Sequence, residues 1–224
     1  MIGLAFLLII LAMIFGMYAQ SRVQGSYKKW SQQGSRSGVT GRDAARYVME
    51  AAGIHDVEIT STHGHLTDHY DPVNKRLVLS EANYNGRSLA AVGVAAHEAG
   101  HAIQHKTGYA MLKARMALVP VVGIANNVLM FVMFGGLFFV GWGHGMAKFG
   151  FIAYLAITLF NLITLPVEFD ASNRAKKELV GLGILDSNEL VGAKQMLDSA
   201  ALTYVAALVS SLSWLLYFFL ASRD

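Results

Sequence analysis

Two histidines and a glutamate occupy one five-residue stretch, His97-Glu98-Ala99-Gly100-His101. On an α-helix, residues four apart lie on the same face, so the imidazoles of His97 and His101 can reach one metal ion. Zinc binds imidazole nitrogen at about 2.0–2.1 Å, and a catalytic zinc keeps one coordination position for water. The Glu98 carboxylate could take the proton of that water as it attacks a carbonyl. The spacing therefore predicts a catalytic metal site.

The residues before the motif favour a buried helix. Residues 89–96 are small and apolar, whereas a surface helix that carries two histidines by chance would have polar neighbours. The longer motif H-E-x-x-H-x-x-G-x-x-H is excluded, because it needs Gly at 104 and His at 107, and the chain has Gln104 and Thr107. His105 is therefore expected to be structural or to support a ligand.

Two histidines leave a zinc site one protein ligand short. The chain has no cysteine, so the third ligand is a carboxylate or another histidine. Glu168 is the best candidate, because it directly follows an apolar segment that ends at Pro166 and is followed by the small residues Ala171 and Ser172. Asp170 is the alternative, either as a ligand or as a residue that orients a histidine ligand. The loop residues His63, His65 and His69 are expected to be solvated or satisfied locally.

The composition predicts that the elements around this site are largely membrane helices. Hydrophobic residues make up 54% of the 224 residues and charged residues 15%. About 20 apolar residues span a bilayer. Four segments approach that length: 1–18, 116–140, 147–165 and 200–220. The first lacks a preceding positive region and is expected to be retained as a helix. The short segment 141–145 is expected to be a tight loop.

The remaining segments predict a small α+β region. Thr40 and Asp43 indicate the start of a helix that ends at Gly53. Residues 57–61 and 76–80 have the pattern of strands, and Leu77–Leu79 is the candidate edge strand for an extended peptide. The expected organisation is a membrane helix at 1–20, a soluble region at 21–115, a membrane hairpin at 116–166, a soluble helical region at 167–199 and a membrane helix at 200–224.

The basic residues predict the sidedness of this arrangement. Of the 18 Lys and Arg residues, 12 lie in 22–118, 4 lie in 168–199, and only Lys148 and Arg223 lie elsewhere. The positive-inside rule places the two rich segments in the cytoplasm and both termini outside. His97, His101 and Glu168 then share one side. The net charge of the chain is +3, and its basic residues lie beside apolar segments, which is typical of membrane proteins. No nucleic-acid-binding motif is present.

The motif region and the segment Leu165-Pro-Val-Glu168-Phe-Asp-Ala-Ser172 closely resemble the YugP-like neutral zinc metallopeptidases of bacterial membranes, over nearly the whole chain. This resemblance implies a multi-pass protein of the bacterial cytoplasmic membrane: a mainly α protein with four transmembrane helices and a small α+β zincin-like domain of the gluzincin type. It implies His97 and His101 as zinc ligands, Glu168 as the third ligand and Glu98 as the catalytic base.

The chain is more distantly similar to HtpX-type membrane proteases. Their glutamate ligand belongs to an E-x-x-x-D pattern, whereas this chain has Ser172 at the aspartate position and an acid at Asp170. The role of Asp170 is therefore left open.

The leading hypothesis is a zinc endopeptidase that cleaves protein or peptide substrates at the membrane face. Tyr84, His69, Asn173 and Arg174 are candidate donors to the oxyanion. One alternative is an intramembrane site-two-type protease, but only about eight apolar residues precede His97, too few to reach mid-bilayer. The other alternative is a non-catalytic membrane scaffold with a structural zinc, which would have no need of Glu98.

Overall fold

The computed structural model describes residues 2–64, 67–138 and 143–223 of a mostly helical chain with one small sheet. Seven helices and three strands occur in the described residues: α1 (Ile2–Ser31), α2 (Gly41–Ala51), β1 (Glu58–Thr62), β2 (His69–Asp71), β3 (Arg76–Ser80), α3 (Glu81–Asn85), α4 (Leu89–Lys106), α5 (Ala110–Phe138), α6 (Gly143–Gly181) and α7 (Ser187–Ala221). The chain divides into two compact units. Unit 1 consists of residues 1–20, 113–166 and 202–224, and unit 2 of residues 21–112 and 167–201.

Four helices are long and apolar enough to cross a membrane, as expected: α1, α5, α6 and α7. In unit 1, an aromatic cluster joins α6 to α7. Tyr154 stacks on Trp214 and Phe218, with ring centroids 5.7 and 5.5 Å apart. Gly150 makes room for this cluster, because a Cβ there would lie 2.4 Å from the Phe218 ring. Of the predicted loop at 141–145, residues 141–142 lie outside the described residues, and α6 has already begun at Gly143.

The predicted helix end at Pro166 is wrong. The helix α6 continues through Pro166 to Gly181, so Glu168 lies within a helix and does not start one. Proline removes one backbone N–H and usually ends a helix in water, but long membrane helices tolerate the loss. The helix α7 starts at Ser187, within the predicted soluble helical region, and runs without a break into the apolar segment 200–220. The apolar segments therefore mark only part of each of these long helices.

The sheet of unit 2 has the strand order β1-β3-β2. The central strand β3 pairs in parallel with β1 and antiparallel with β2. The prediction of Leu77–Leu79 as an edge strand is therefore wrong, because β3 has a strand on both sides and Leu77 and Val78 are paired with both of them. Leu77 and Leu79 are fully buried, and a run with such apolar residues suits a central strand. The edges of the described sheet are β1 and β2.

The predicted helix start at Thr40 is confirmed. The Thr40 hydroxyl accepts a hydrogen bond from the Asp43 amide, and α2 then places Ala44, Ala45 and Val48 in the core. The chain leaves the helix at Gly53, which has a φ of +69°. This left-handed backbone suits glycine, because glycine has no Cβ to clash.

The helix α4 runs through the core of unit 2. The Ser88 hydroxyl caps its start by accepting from the Ala91 amide, and 15 of its 18 residues are buried. Most of these residues are alanine, glycine or valine, so neighbouring backbones can approach α4 from several directions. A helix that is apolar on all sides is expected to be buried. The buried polar residues of α4 are Glu98, His101 and Gln104.

Candidate metal centre

The helices α4 and α6 bring three metal-binding side chains of unit 2 together. Atoms of His97, His101 and Glu168 that could bind a metal all lie within 4.8 Å of one another. One carboxylate oxygen of Glu168 lies 3.2 Å from Nε2 of His97 and 3.6 Å from Nε2 of His101. The pair His97 and Glu168 is separated by 71 residues along the chain. The side chain of Glu168 is only 2% exposed, so it is removed from bulk water.

These distances fit a tetrahedral zinc site. Two ligands about 2.0–2.1 Å from a tetrahedral zinc ion lie about 3.3–3.4 Å from each other. The two measured separations of 3.2 and 3.6 Å bracket that value. Two imidazoles and one carboxylate also form a donor set that suits zinc. The residues that would hold the ion are thus preassembled around a common point.

The second ring nitrogen of each histidine has a partner that fixes the ring. Nδ1 of His97 lies 3.1 Å from the Ser172 hydroxyl, and Nδ1 of His101 lies 2.9 Å from Oε1 of Gln104. Since the amide oxygen of Gln104 can only accept, Nδ1 of His101 carries the proton in this hydrogen bond. Nε2 of His101 then has its lone pair free for a metal.

Gln104 is itself fixed from two sides. It is fully buried, and its Nε2 donates to the Val167 carbonyl and to the Asp170 carboxylate, both at 2.8 Å. Asp170 also accepts from Nε of Arg174 at 2.5 Å. Asp170 is therefore not part of the three-residue cluster but acts on His101 through Gln104.

Gln104 and Ser172 were not predicted from the sequence as supports of the two histidines. The available signals were weak: Gln104 is a polar residue in a helix of small apolar residues, three positions after His101. Ser172 lies one helical turn after Glu168.

Glu98 lies on α4 between the two histidines along the chain and is 8% exposed. Burial raises the pKa of its carboxyl group, although the charges of His97 and His101 oppose the rise. For His101, burial lowers the pKa, but the hydrogen bond to Glu168 and the charge of Glu98 outweigh it and the pKa is raised. A carboxyl group whose pKa is raised toward neutrality accepts a proton more readily than an exposed one.

A glycine allows the two helices of the site to approach closely. A Cβ on Gly100 would lie 2.5 Å from the backbone oxygen of Ala171. Ala171 and Ser172 are buried, which agrees with the expectation that small residues here permit close packing. Gly100 directly precedes His101, so this contact sets the distance between the α4 histidines and Glu168.

The described histidines outside the motif are not part of the cluster. His63 is exposed and pairs with Glu81, at 3.1 Å, while His69 contacts the Thr67 carbonyl with its ring nitrogen. Nδ1 of His105 lies 2.9 Å from the Tyr70 hydroxyl. Burial raises the pKa of Tyr70 to about 12, so the phenol keeps its proton at neutral pH. His65 lies outside the described residues.

The sequence profile of a family described as "Putative neutral zinc metallopeptidase" matches residues 5–223. A curated protein of Bacillus subtilis (strain 168), "Putative membrane protease YugP", is 42% identical over 220 residues, covering 97% of each chain. The chain belongs to the neutral zinc metallopeptidase family. This membership confirms the resemblance inferred from the motifs. No solved structure matches the chain. In this family member, the candidate metal centre is the buried cluster of two histidines and one glutamate.

Proposed function

We propose that the protein is a membrane-embedded zinc endopeptidase with His97, His101 and Glu168 as metal ligands and Glu98 as general base. The observation that carries this proposal is the buried three-residue cluster, whose interatomic distances suit tetrahedral zinc. The family and the YugP relative support peptide bonds as the substrate. Three protein ligands leave one position for water, as a catalytic site requires.

Each residue then has a distinct task. Bound zinc would polarise the scissile carbonyl and lower the pKa of its bound water. Glu98 takes the proton from the attacking water and delivers it to the leaving amine. Gln104 and Ser172 hold the two imidazoles so that Nε2 of each faces the metal position. Arg174 is engaged by Asp170, and Tyr84 lies beside Arg42, while His69 and Asn173 are exposed, so the proposal gives none of these four candidates the role of oxyanion donor.

The edge strand β2 is the place where a substrate could bind in extended form. Among the described residues, β2 pairs with β3 alone, so its other edge can accept backbone hydrogen bonds. Tyr70 of β2 contacts His105, one helical turn beyond His101 on α4. A peptide added to this edge would therefore run beside the helix that carries the motif.

We place the site on the cytoplasmic side of a bacterial membrane. The support is the charge distribution, with 16 of 18 basic residues in the two segments that contain His97, His101 and Glu168. An intramembrane site is disfavoured, because α4 is not one of the four helices suited to span a membrane. A scaffold with a structural zinc is also disfavoured, since such a site has no use for a buried Glu98.

Metal content and peptidase activity of the purified full-length protein in detergent test this proposal. We expect about one zinc per chain in the wild type, a marked loss in Glu168→Ala, and retention of zinc without activity in Glu98→Gln. Glu178→Ala, on the same helix but outside the cluster, is the matched control and should keep both zinc and activity.

Two outcomes would contradict the proposal. Full zinc content in Glu168→Ala would show that another residue is the third ligand, and Asp170 would be the next candidate. Wild-type activity in Glu98→Gln would favour a different base or the scaffold function.

A further inference from the structure

Two adjacent asparagines lie deep in the second membrane helix. Asn126 and Asn127 belong to α5, whose apolar window is part of 110–134. Arg115 lies near one end of this span. Asn127 lies 12 residues further along the helix, which is about 18 Å at 1.5 Å per residue. The hydrocarbon core of a bilayer is about 30 Å thick, so the Asn127 amide is far from either interface.

These side chains point away from the rest of the chain as far as the structure describes it. The buried positions of α5 in this region include Ala125 and Val132, which are 5% and 7% exposed. At about 100° per residue, Asn127 lies about 160° around the helix from Ala125 and about 140° from Val132. Asn126 and Asn127 are both exposed, and neither has a hydrogen-bond partner in the part of the chain that the structure describes. Asn127 thus faces outward, opposite the buried side of its own helix.

An outward amide in hydrocarbon is unfavourable unless another molecule supplies its hydrogen bonds. In membranes, asparagine side chains commonly meet this need by bonding across a helix–helix contact. The helix α5 also has the most exposed surface for such a contact. Only 11% of its most apolar stretch is buried, against 22–28% in the other three candidate spans.

The neighbours of the two asparagines form a surface suited to a second helix. We define the asparagine face as the exposed residues Val119, Gly123, Asn126, Asn127 and Met130. Gly123 and Met130 lie between the two asparagines on the helix surface. A Cβ at Gly123 would meet nothing within 4 Å, so the α5 backbone is open to close approach there. Small residues at such positions let membrane helices pack backbone to backbone.

We propose that the asparagine face is a homodimer contact, in which α5 of one chain packs against α5 of a second copy. A carboxamide both donates and accepts hydrogen bonds. A twofold axis brings the same surface of two copies together, so the asparagines of one chain can satisfy those of the other. In this arrangement Gly123 lies at the point of closest approach, and Met130 packs two turns beyond it.

The absence of cysteine from the chain makes a disulfide cross-linking test direct. Full-length Met130→Cys is reconstituted into phospholipid vesicles as the pure protein and oxidised. Met130 is 61% exposed and lies within the asparagine face. Ile124→Cys is the matched control, because Ile124 is 66% exposed on the same helix but about 120° around it from Met130. We expect strong cross-linking of Met130→Cys and weak cross-linking of Ile124→Cys.

The amide is tested in the Met130→Cys background. Asn127→Leu should weaken self-association about tenfold, measured as the protein-to-lipid ratio at half-maximal cross-linking, whereas Asn127→Gln should keep most of it. Zinc content serves as the folding control. Equal cross-linking of the two cysteine variants, or an unchanged midpoint in Asn127→Leu, would overturn the proposal. Cross-linking in cell membranes but not in vesicles of the pure protein would assign the face to a different partner and overturn it as well.

Discussion

Gln104 fixes the orientation of His101 in the candidate metal centre. It joins Nδ1 of His101 to the Val167 carbonyl and to Asp170, and all of its polar atoms are used while it is fully buried. A ligand histidine held in this way presents Nε2 in a fixed direction and in the correct tautomer. Gln104 therefore acts as a positioning residue between α4 and α6.

Replacing Gln104 by leucine should weaken zinc binding by about 10- to 100-fold, because the His101 ring loses the acceptor for its Nδ1 proton. The measurement is zinc affinity by chelator competition, together with the visible spectrum of the cobalt-substituted protein, which reports ligand geometry. Gln195→Leu, at an exposed position of α7, is the control. Wild-type zinc affinity and an unchanged cobalt spectrum in Gln104→Leu would show that His101 does not depend on this contact.

At the scale of elements, the contact between α4 and α6 sets the geometry of the site. The proposed ligands come from two helices, and these helices meet where Gly100 lies against the Ala171 backbone. Backbone atoms cannot move aside as the end of a flexible side chain can. A single added methyl group at Gly100 must therefore separate the helices that carry His101 and Glu168.

Gly100→Ala should lower the free energy of unfolding by about 1–3 kcal/mol through overpacking. It should also weaken zinc binding, because Glu168 moves away from the histidines. Thermal unfolding and zinc affinity are the measurements. Gly25→Ala in α1 is the control, since a Cβ there meets nothing within 4 Å and alanine favours a helix. Equal stability of the two variants would contradict the close contact.

At the scale of the whole molecule, the charge distribution constrains how the chain crosses the membrane. Unit 2 combines residues 21–112 and 167–201, which come from two separate parts of the sequence. Of the 18 basic residues, 16 lie in residues 22–118 and 168–199, and the other two are Lys148 and Arg223. Four candidate spans put these two segments on one side, and the positive-inside rule is the reason for proposing that this side is cytoplasmic.

Single cysteines test this topology in the cysteine-free chain. In intact cells, a membrane-impermeant maleimide should label Arg223→Cys but not Glu58→Cys or Asn188→Cys, which are exposed positions of the two rich segments. Permeabilised cells serve as the control, in which all three should react. Labelling of Glu58→Cys in intact cells would place the proposed active site outside.

Local patterns in the sequence determined the H-E-x-x-H helix, the Thr40 cap and the four apolar segments, because each depends on residues within one or two helical turns. The motif chemistry and the ligand count also pointed to Glu168. Only the tertiary structure decided the rest. The central place of β3, the continuation of α6 through Pro166, and the support of the histidines by Gln104 and Ser172 depend on contacts between distant residues. Hydropathy and residue spacing do not predict which distant side chains come into contact, because the packing of the folded chain determines those contacts.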